Sequence, residues 1–185
     1  MVYERIGQIG NKNFLSPTGF KFIVRRSPKV AFFCNQANIP AMTLGVAEQT
    51  NYLRNIPVPG DKIEFGDLTL RFLVDEDLKN YMEIQNWMRG LGYPESLDEF
   101  DKLDKEGEIF GRYTGDQDNI YSDGTLSVLT NNLIPKYQIF FSDLFPYDLS
   151  TLSFDATQTD QEYFTADVSF KYTIYTINDM NGQPI

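Results

Sequence analysis

Residues 163–177 constrain the fold more than any other stretch, because apolar and polar residues alternate along them. One set contains Phe164, Ala166, Val168, Phe170, Tyr172 and Ile174, and the other contains Tyr163, Thr165, Asp167, Ser169, Lys171 and Thr173. This period of two, without Gly or Pro and rich in β-branched and aromatic residues, predicts a half-buried strand. Such a strand would be about 50 Å long, against about 17–20 Å for a common one. The stretch therefore predicts an ordinary sandwich with one long strand or a large curved sheet that continues between subunits.

The composition argues against several classes of function. The chain has 185 residues, no His and a formal net charge of −10. Tight binding to DNA phosphates needs clustered Lys and Arg, so we do not expect it. Without His the chain lacks the commonest general acid–base and the commonest metal ligand. The sequence also contains no phosphate-binding loop, nucleophile elbow or zinc motif. We therefore expect no enzyme activity, no catalytic or metal-binding residue and no cofactor.

The single cysteine, Cys34, leaves no partner for an intrachain disulfide and no basis for a cysteine metal cluster. It follows Phe32 and Phe33 in an apolar run, which favours a buried, unreactive thiol over a reactive one. The sequence has no apolar signal core at its N-terminus and no apolar run of about 18 residues. We therefore expect a soluble protein in a reducing cytoplasm, without a membrane anchor.

Charge is distributed unevenly along the chain. Residues 1–35 carry a net charge of +5, whereas residues 91–123 carry −7. Both segments are compatible with ordinary solvated faces. The alternative is a head-to-tail contact between copies, in which a basic end meets an acidic end.

Local patterns predict the elements of the first half. We predict a hairpin of two strands over residues 20–26 and 30–35, joined by a turn at 27–29. A long loop follows over 36–62, with a short strand at 43–46 and an exposed polar part at 48–54. Residues 63–74 form the next strand, with a bulge at Gly66-Asp67 where the apolar phase slips.

An amphipathic helix of about fifteen residues follows from Asp75. Its apolar stripe contains Leu78, Tyr81, Met82, Gln85 and Met88, with Ile84 and Trp87 beside it and Gly90 and Gly92 at its end. The acidic residues 75–77 suit the positive end of the helix dipole better than a divalent cation, because no further ligands follow at a recognisable spacing.

The second half is predicted to be mostly strands and loops. Ser96 and Glu99 have the spacing of a capping box, which predicts a short helix over 96–103. A surface loop continues to residues 122–124, and strands are predicted over 125–130, 137–144 and 149–154, with a break at Phe145-Pro146-Tyr147. A turn over 155–161 then leads to the final strand.

The order of these elements resembles that of the tail tube proteins of contractile-tailed bacteriophages. The similarity covers about residues 15–177. The residues that carry it are Phe20, Phe22, Val24, Phe33, Cys34, Ile39-Pro40, Asn55, Ile56, Gly60-Asp61, Asp75-Glu76, Trp87, Leu144-Phe145-Pro146, 152–155 and 167–175.

The resemblance implies a mainly β fold with one packed α-helix, a tail-tube-like β-sandwich or barrel that forms a hexameric ring. Rings would stack head to tail into the inner tail tube, a structural virion component that conducts the genome during ejection. The chain departs from a plain tube subunit in its acidic 93–124 insertion and its long N-terminal lead-in. Two alternatives therefore remain: a specialised ring at the baseplate or neck end, which initiates or terminates the tube, and a β-rich binding module unrelated to tails.

We expect an N-terminal arm over residues 1–19, a single domain over 20–177 and a C-terminal tail over 178–185. The partners implied by the resemblance are further copies of the chain and the sheath, baseplate and neck proteins. Genomic DNA would pass through the lumen without specific binding. The protein would reside in the virion tail, after assembly in the host cytoplasm.

Two sets of site residues follow from the implied ring. A half-buried strand in such a ring turns its polar face to the lumen, so the lumen-facing candidates are Thr165, Asp167, Ser169, Lys171 and Thr173. Candidates for contacts between stacked rings lie in residues 46–61 and in the basic N-terminal region, namely Glu48, Gln49, Asn51, Tyr52, Arg54, Arg25, Arg26 and Lys29.

Overall fold

Strands dominate the structure, a computed structural model that describes residues 15, 17–109, 120–154, 163–180 and 182–183. The strands are β1 (Phe20–Val24), β2 (Cys34–Ala37), β3 (Met42–Thr50), β4 (Asn55–Phe65), β5 (Leu68–Leu73), β6 (Ser122–Leu129), β7 (Pro135–Leu149), β8 (Thr165–Lys171) and β9 (Ile174–Asp179). The helices are α1 (Pro28–Phe32), α2 (Lys79–Gly92) and α3 (Asp98–Ile109). The mainly β fold predicted from the sequence is confirmed.

Two antiparallel groups of strands share the long strand β7. Its N-terminal half pairs with β6 on one side and β9 on the other, and β1 lies beyond β6. We call this group sheet A. The C-terminal half of β7 pairs with β8, which is followed by β5 and then β2. We call this group sheet B. Strands β3 and β4 pair only with each other among the described residues.

The chain passes from one sheet to the other at two adjacent bends. Asp143, in the middle of β7, has a φ of 56°, and Tyr172 and Thr173 separate β8 from β9. The N–H of Thr173 donates to the carbonyl oxygen of Ser142 at 3.0 Å, so the two bends lie side by side. The predicted single strand over 163–177 is therefore two strands, because one segment serves both sheets.

A single core joins the two sheets to α2. Alternate residues of β5 and β8 are fully buried, namely Leu68, Leu70, Phe72, Ala166, Val168 and Phe170. The rings of Phe22 and Phe141 bring sheet A into the same cluster, with centroids 6.5 Å apart. Trp87 of α2 packs 6.2 Å from Phe170, centroid to centroid. Burial of each Leu, Val or Phe side chain among these contributes roughly 1.5–3 kcal/mol relative to exposure.

Helix α2 is confirmed, but its buried face differs from the predicted stripe. Ile84 and Trp87 lie at the centre of the buried face, whereas Met82 is 43% exposed and Leu78 is 37% exposed. The helix begins at Lys79, after Leu78 in the left-handed region, so the acidic residues 75–77 precede its first turn. The buried face is set by packing, since Trp87 contacts Phe170 of β8 and Gly90 lies against Leu103 of α3.

Asn80 determines where α2 begins. Its side chain is fully buried and donates to the carbonyl oxygen of Leu73 at 2.7 Å. Its Oδ1 accepts the N–H groups of Asp75 at 3.1 Å and Tyr81 at 2.8 Å. These bonds tie the first turn of the helix to the end of β5.

The predicted N-terminal hairpin is wrong. Residues 28–32 form α1, with Pro28 in the first turn, where proline is favoured. Strand β1 pairs with β6, and β2 pairs with β5, so the two predicted partners lie in different sheets. A short apolar run does not distinguish helix from strand by periodicity, which explains the error.

The predicted loop over 36–62 is mostly a two-stranded hairpin. Strands β3 and β4 pair from Met42 opposite Phe65 to Thr50 opposite Asn55. Pro57 and Pro59 concealed β4 in the sequence, because proline is usually confined to edge strands. The break at Gly66-Asp67 is confirmed in position, but it separates strands of different sheets and is not a bulge.

The C-terminal half differs from the prediction mainly in its boundaries. Strand β6 begins at Ser122, and β7 continues through Phe145-Pro146-Tyr147 instead of breaking there. Residues 151–154 are not a strand, and β9 extends to Asp179, into the predicted tail. The predicted short helix is α3. The N-terminal arm to residue 14, the loop over 110–119 and the turn over 155–161 fall outside the described residues.

Candidate assembly surfaces

Sheet B has a polar face turned away from the core, which we call the outer face of sheet B. Asp67 on this face directly precedes β5, and Thr69 and Arg71 lie in β5. The remaining residues of the face are Tyr147 from β7 and Thr165, Asp167, Ser169 and Lys171 from β8. In the register of β5 and β8, Arg71 lies opposite Asp167 and Thr69 lies opposite Ser169. The alternation in the sequence thus identified the β8 side of this face correctly.

Arg71 and Asp167 form a bidentate ion pair across the two strands. Arg71 Nε donates to Asp167 Oδ1 at 2.8 Å, and Nη2 donates to Oδ2 at 3.2 Å. This contact raises the pKa of Arg71. Ser150 holds the backbone of Asp167 through two bonds of 2.8 Å, one accepted by its Oγ and one donated by its N–H. The pair is therefore oriented by both side chains and backbone.

A second cluster joins Asp67, Tyr147 and Lys171. The Tyr147 hydroxyl donates to Asp67 Oδ2 at 2.5 Å, and the Lys171 ammonium donates to Oδ1 of the same carboxylate. The ammonium also lies 5.2 Å from the centroid of the Tyr147 ring. The Lys171 bond, followed by the Tyr147 bond, lowers the pKa of Asp67, and the same carboxylate raises the pKa of Lys171 and of Tyr147.

Sequence reasoning missed half of this face. Asp67, Thr69 and Arg71 alternate with the buried Leu68, Leu70 and Phe72, and this period of two was the available signal. Thr173, in contrast, lies at the bend between β8 and β9 and is exposed there. The structure thus brings four of the five predicted channel residues onto one strand face and places the fifth beside it.

The β3–β4 hairpin presents an apolar face to solvent. Cross-strand neighbours share a face, and on one side these are Met42 with Phe65, Leu44 with Ile63, and Val46 with Pro59. The large side chains on it are 54% exposed at Met42, 46% at Leu44, 67% at Val46 and 52% at Ile63. An isolated two-stranded hairpin is marginally stable in water, and exposed apolar patches mark interaction sites. This face therefore fits a contact with another polypeptide.

The tip of the hairpin brings together five predicted contact residues. Glu48, Gln49, Asn51, Tyr52 and Arg54 are all exposed. Tyr52 is 99% exposed, and its neighbour Leu53, which lies in the predicted segment 46–61 but was not named among its contact residues, is 88% exposed. Asn55 Nδ2 donates to Glu48 Oε2 at 2.8 Å and closes the end of the hairpin.

The root of the hairpin is held by an aromatic cluster and by backbone bonds. The Phe65 ring lies 6.1 Å from Tyr172 and 5.5 Å from Tyr175, centroid to centroid. The Tyr172 hydroxyl donates to the carbonyl oxygen of Gly66 at 2.9 Å, and burial raises the pKa of this tyrosine to about 12. The N–H of Gly66 donates to the carbonyl oxygen of Ala41 at 2.8 Å. The hairpin is therefore attached firmly to the bend between the sheets.

The three predicted basic contact residues lie in different environments. Arg25 is exposed, and Lys29 forms an ion pair with Glu83 at 3.0 Å. Arg26 is only 8% exposed, so its side chain belongs to the interior of the subunit. Its Nη2 donates to the carbonyl oxygen of Leu103 in α3 at 2.7 Å. The basic segment and the acidic helix thus meet within one subunit.

Helix α3 packs against α2 through a glycine. A Cβ atom at Gly90 would lie 2.7 Å from the Cβ of Leu103, so the two helices approach closely there. Arg89 Nη2 donates to Glu99 Oε1 at 2.5 Å and lies 3.1 Å from Glu95 Oε1. Glu99 therefore binds Arg89 across the helix pair.

The described residues contain no group of three His, Cys, Asp or Glu side chains that could hold a metal ion. Within the same part of the chain, no helix combines the length and apolarity needed to cross a membrane. Cys34 is partly buried, and burial raises the pKa of its thiol to about 11.

A family model described as phage tail tube protein matches residues 4–178. The search of curated proteins found no match. A chain from the tube-terminating cap of the anti-feeding prophage has a TM-score of 0.61 and 16% identity, with 96% of this chain and 99% of that chain covered. A chain from the PVC sheath–tube complex of an extracellular contractile injection system, in its extended state, has a TM-score of 0.56, 16% identity and the same coverage. A chain from the anti-feeding prophage baseplate has a TM-score of 0.54, 12% identity, and 86% and 90% coverage.

Proposed function

The chain belongs to the phage tail tube protein family, and we propose that it forms hexameric rings that stack head to tail into the inner tube of a contractile tail. The observation that carries this proposal is the family match over residues 4–178. A chain of the PVC sheath–tube complex shares the fold over 96% of the present chain, which supports the proposal. Family membership removes the alternative of a binding module unrelated to tails. The protein is accordingly a structural one, and we assign it no enzymatic role.

The outer face of sheet B is the surface that would line the channel. Its opposite face is fully buried at Val168 and Phe170, so the polar side is the one free to meet water. In a closed ring such a strand turns its polar side to the lumen, and closure also removes exposed sheet edges. Thr165, Asp167, Ser169 and Lys171 would then line the channel, with Thr173 at the bend.

The β3–β4 hairpin would make the contacts between subunits of stacked rings. It projects the exposed side chains of Tyr52 and Leu53 at its tip and an apolar face along its length. Burial of that face against a neighbouring copy would remove large apolar side chains from water. Arg25 is exposed and could support such contacts, whereas Lys29 is paired with Glu83 and Arg26 serves the interior of the subunit.

A specialised end ring is the second candidate function. Helix α3 lies in the acidic stretch 93–124, which we interpret from the sequence as a departure from a plain tube subunit, and this interpretation motivates the alternative. The fold is also shared with chains of the anti-feeding prophage cap and baseplate. Such a ring would initiate or terminate the tube instead of repeating along it.

The partners that follow from either function are further copies of the chain and the sheath, baseplate and neck proteins of the tail. Genomic DNA would pass through the lumen without specific binding. The protein would reside in the virion tail after assembly in the host cytoplasm.

Negative-stain electron microscopy of the purified protein, together with its mass in solution, tests the proposal. Long hollow tubes would establish the repeating tube subunit. Isolated sixfold rings, or monomers that assemble only on a tail component, would establish the end ring. A monomer that associates with no tail component would contradict both functions.

A further inference from the structure

We propose that the tip of the β3–β4 hairpin in one copy seats on an aromatic patch at the opposite end of sheet B in another copy, and that this contact holds only when several act in parallel. The aromatic patch consists of Phe154, Tyr163 and Phe164. The inference rests on the proposed function, in which rings stack head to tail. It goes further by naming the surface that receives the hairpin and the reason why single subunits do not stack.

The aromatic patch is exposed although its side chains are large. The rings of Phe154 and Phe164 lie 4.8 Å apart, centroid to centroid. Phe154 is 73% exposed, Tyr163 is 88% exposed and Phe164 is 41% exposed. Burial of aromatic side chains contributes much of the energy of interfaces, and exposed apolar patches mark interaction sites. The patch is therefore suited to contact with another polypeptide.

The hairpin and the aromatic patch lie at opposite ends of sheet B. The hairpin leaves the sheet beside Leu68, the first residue of β5, because β4 ends at Phe65. The patch lies beyond the other end of β5, where the N–H of Val74 donates to the carbonyl oxygen of Phe164 at 2.8 Å. All nine residues of β3 are exposed, so the hairpin extends about 30 Å beyond its end of the sheet. Copies that follow one another head to tail therefore bring the tip of one toward the patch of the next.

The tip and the patch end of the subunit are complementary in character. Tyr52 and Leu53 present apolar surface at the tip, and the exposed Arg54 follows them. At the patch end, Asp75 and Glu76 follow the end of β5. Opposite charges on two surfaces guide association and fix its orientation. The apolar tip would pack on the aromatic rings while the guanidinium faces the carboxylates.

The area of this contact is too small to hold two isolated subunits together. The exposed fractions of the patch amount to about two complete aromatic side chains, or roughly 300–500 Å². Stable interfaces bury about 800 Å² on each partner. One tip on one patch is therefore weak, whereas the contacts of a closed ring act together and gain from high effective concentration. Stacking should accordingly require rings.

Cross-linking between introduced cysteines tests the contact directly. In a Cys34→Ala background, Thr50→Cys is combined with Ser153→Cys, and the assembled protein is treated with a short bismaleimide. Contacts between successive copies should give a ladder of covalent multimers in a denaturing gel. The matched control combines Thr50→Cys with Leu97→Cys, a side chain that is 70% exposed just before α3, and should stay monomeric. Tubes of the first variant without a ladder, or an equal ladder from the control, would overturn the inference.

Loss of the patch should prevent stacking but not ring closure. The variant Phe154→Ser with Tyr163→Ser should need at least about tenfold more protein than the wild type for half-maximal tube formation in sedimentation. The matched control is Leu97→Ser with Ile134→Ser, which are 70% and 61% exposed in other loops, and it should assemble like the wild type. Circular dichroism should show the same fold for all three proteins. Normal tube formation by the patch variant would overturn the inference.

The charge contact is tested at the tip. Arg54→Glu brings a carboxylate toward Asp75 and Glu76 of the next copy, so it should raise the concentration needed for tube formation severalfold. Arg54→Lys keeps the charge and should leave that concentration within about twofold of the wild type. Equal shifts in the two variants would overturn the proposed seating of the tip.

Failure of the inference can be separated from failure of the proposed function. If wild-type tubes form but the patch variant stacks normally and no ladder appears, only the inference is overturned. Wild-type rings that never stack would overturn the inference and leave the end ring in place. A wild-type protein that forms neither rings nor tubes with any tail component would overturn the proposed function itself.

Discussion

The guanidinium carbon of Arg26 lies 5.4 Å from the centroid of the Trp87 ring, between the strand end of β1 and the buried face of α2. Arg26 is 8% exposed, Trp87 is 2% exposed, and the same guanidinium donates to the carbonyl oxygen of Leu103 at 2.7 Å. One arginine thus connects β1, α2 and α3 at the side of the sandwich.

Replacing Arg26 should destabilise the subunit, whereas replacing its neighbour should not. The Arg26→Ala change leaves the Leu103 carbonyl without this donor and removes the packing on Trp87, which should cost about 1–3 kcal/mol of unfolding free energy. The exposed Arg25→Ala is the matched control and should stay within about 0.5 kcal/mol of wild type. Urea denaturation measures both, and equal losses would contradict the interior role of Arg26.

Two glycines of α2 should respond oppositely to alanine. A Cβ at Gly90 would lie 2.7 Å from Leu103 Cβ, whereas nothing lies within 4 Å of a Cβ at Gly92. Gly90→Ala should therefore cost about 1–3 kcal/mol through overpacking, despite the helix propensity gained. Gly92→Ala should be neutral or stabilise by up to about 1 kcal/mol. If Gly90→Ala unfolded at a higher temperature than the wild type, α3 would have moved away from α2 without loss of stability, which would contradict the prediction.

The ionised Asp67 carboxylate should stabilise the fold at neutral pH but not in strong acid. Its pKa is lowered in the folded state by Lys171 and then Tyr147, so its stabilisation is present above the unfolded-state pKa. It is lost as the pH falls through the lowered folded-state pKa. Asp67→Asn should cost no more than about 1 kcal/mol at neutral pH, because the pair is partly exposed and screened.

Urea denaturation of wild type and Asp67→Asn at pH 7 and at acidic pH measures this dependence. Their stabilities should converge on acidification, while Asp148→Asn, an exposed residue of the same sheet, serves as the control. A difference that stays constant down to pH 2 would contradict a role for the Asp67 charge.

Cys34 should be nearly inert in the folded protein. Burial raises its pKa to about 11, and only the thiolate is nucleophilic. At pH 8 its alkylation by iodoacetamide should be roughly a hundredfold slower than that of a free cysteine. Intact-protein mass spectrometry follows the reaction, and urea-unfolded protein, which should react at the ordinary rate, is the control. Rapid modification without unfolding would contradict the burial of the thiol.

Deleting residues 48–54 should block the stacking of rings while leaving the subunit folded. These residues lie outside the core, so the deletion removes contact surface and the last three paired residues of β3 but leaves the core intact. Electron microscopy should show rings or subunits without tubes, and circular dichroism should show an unchanged spectrum. A second variant replaces only residues 51–54 by Asn-Gly, a two-residue turn between the paired Thr50 and Asn55 that keeps the hairpin closed. Tubes of normal length from the deletion would contradict a stacking role for the tip.

The extent of sequence prediction is clearest in β8 and α2. The alternation of Ala166, Val168 and Phe170 with polar residues was enough to assign the buried face of β8 correctly. The helix was identified from three- and four-residue spacing, but its face was displaced. The displacement arises because Trp87 packs on Phe170 of β8 and Gly90 lies against Leu103 of α3, contacts between elements that no local pattern encodes.

The sequence by itself determined the class of fold, the burial of individual strand faces and the absence of His-based chemistry, because these depend on composition and on periods of two and 3.6 residues. Only the tertiary structure decided that β1 and β2 lie in different sheets, that β7 and β8–β9 bend together, and that residues 42–65 form a projecting hairpin. It also decided that Arg26 is internal and that Asp67 and Arg71 complete the polar face of β8. The physical reason is that strand pairing joins residues far apart in sequence, and its register depends on how both faces pack at once.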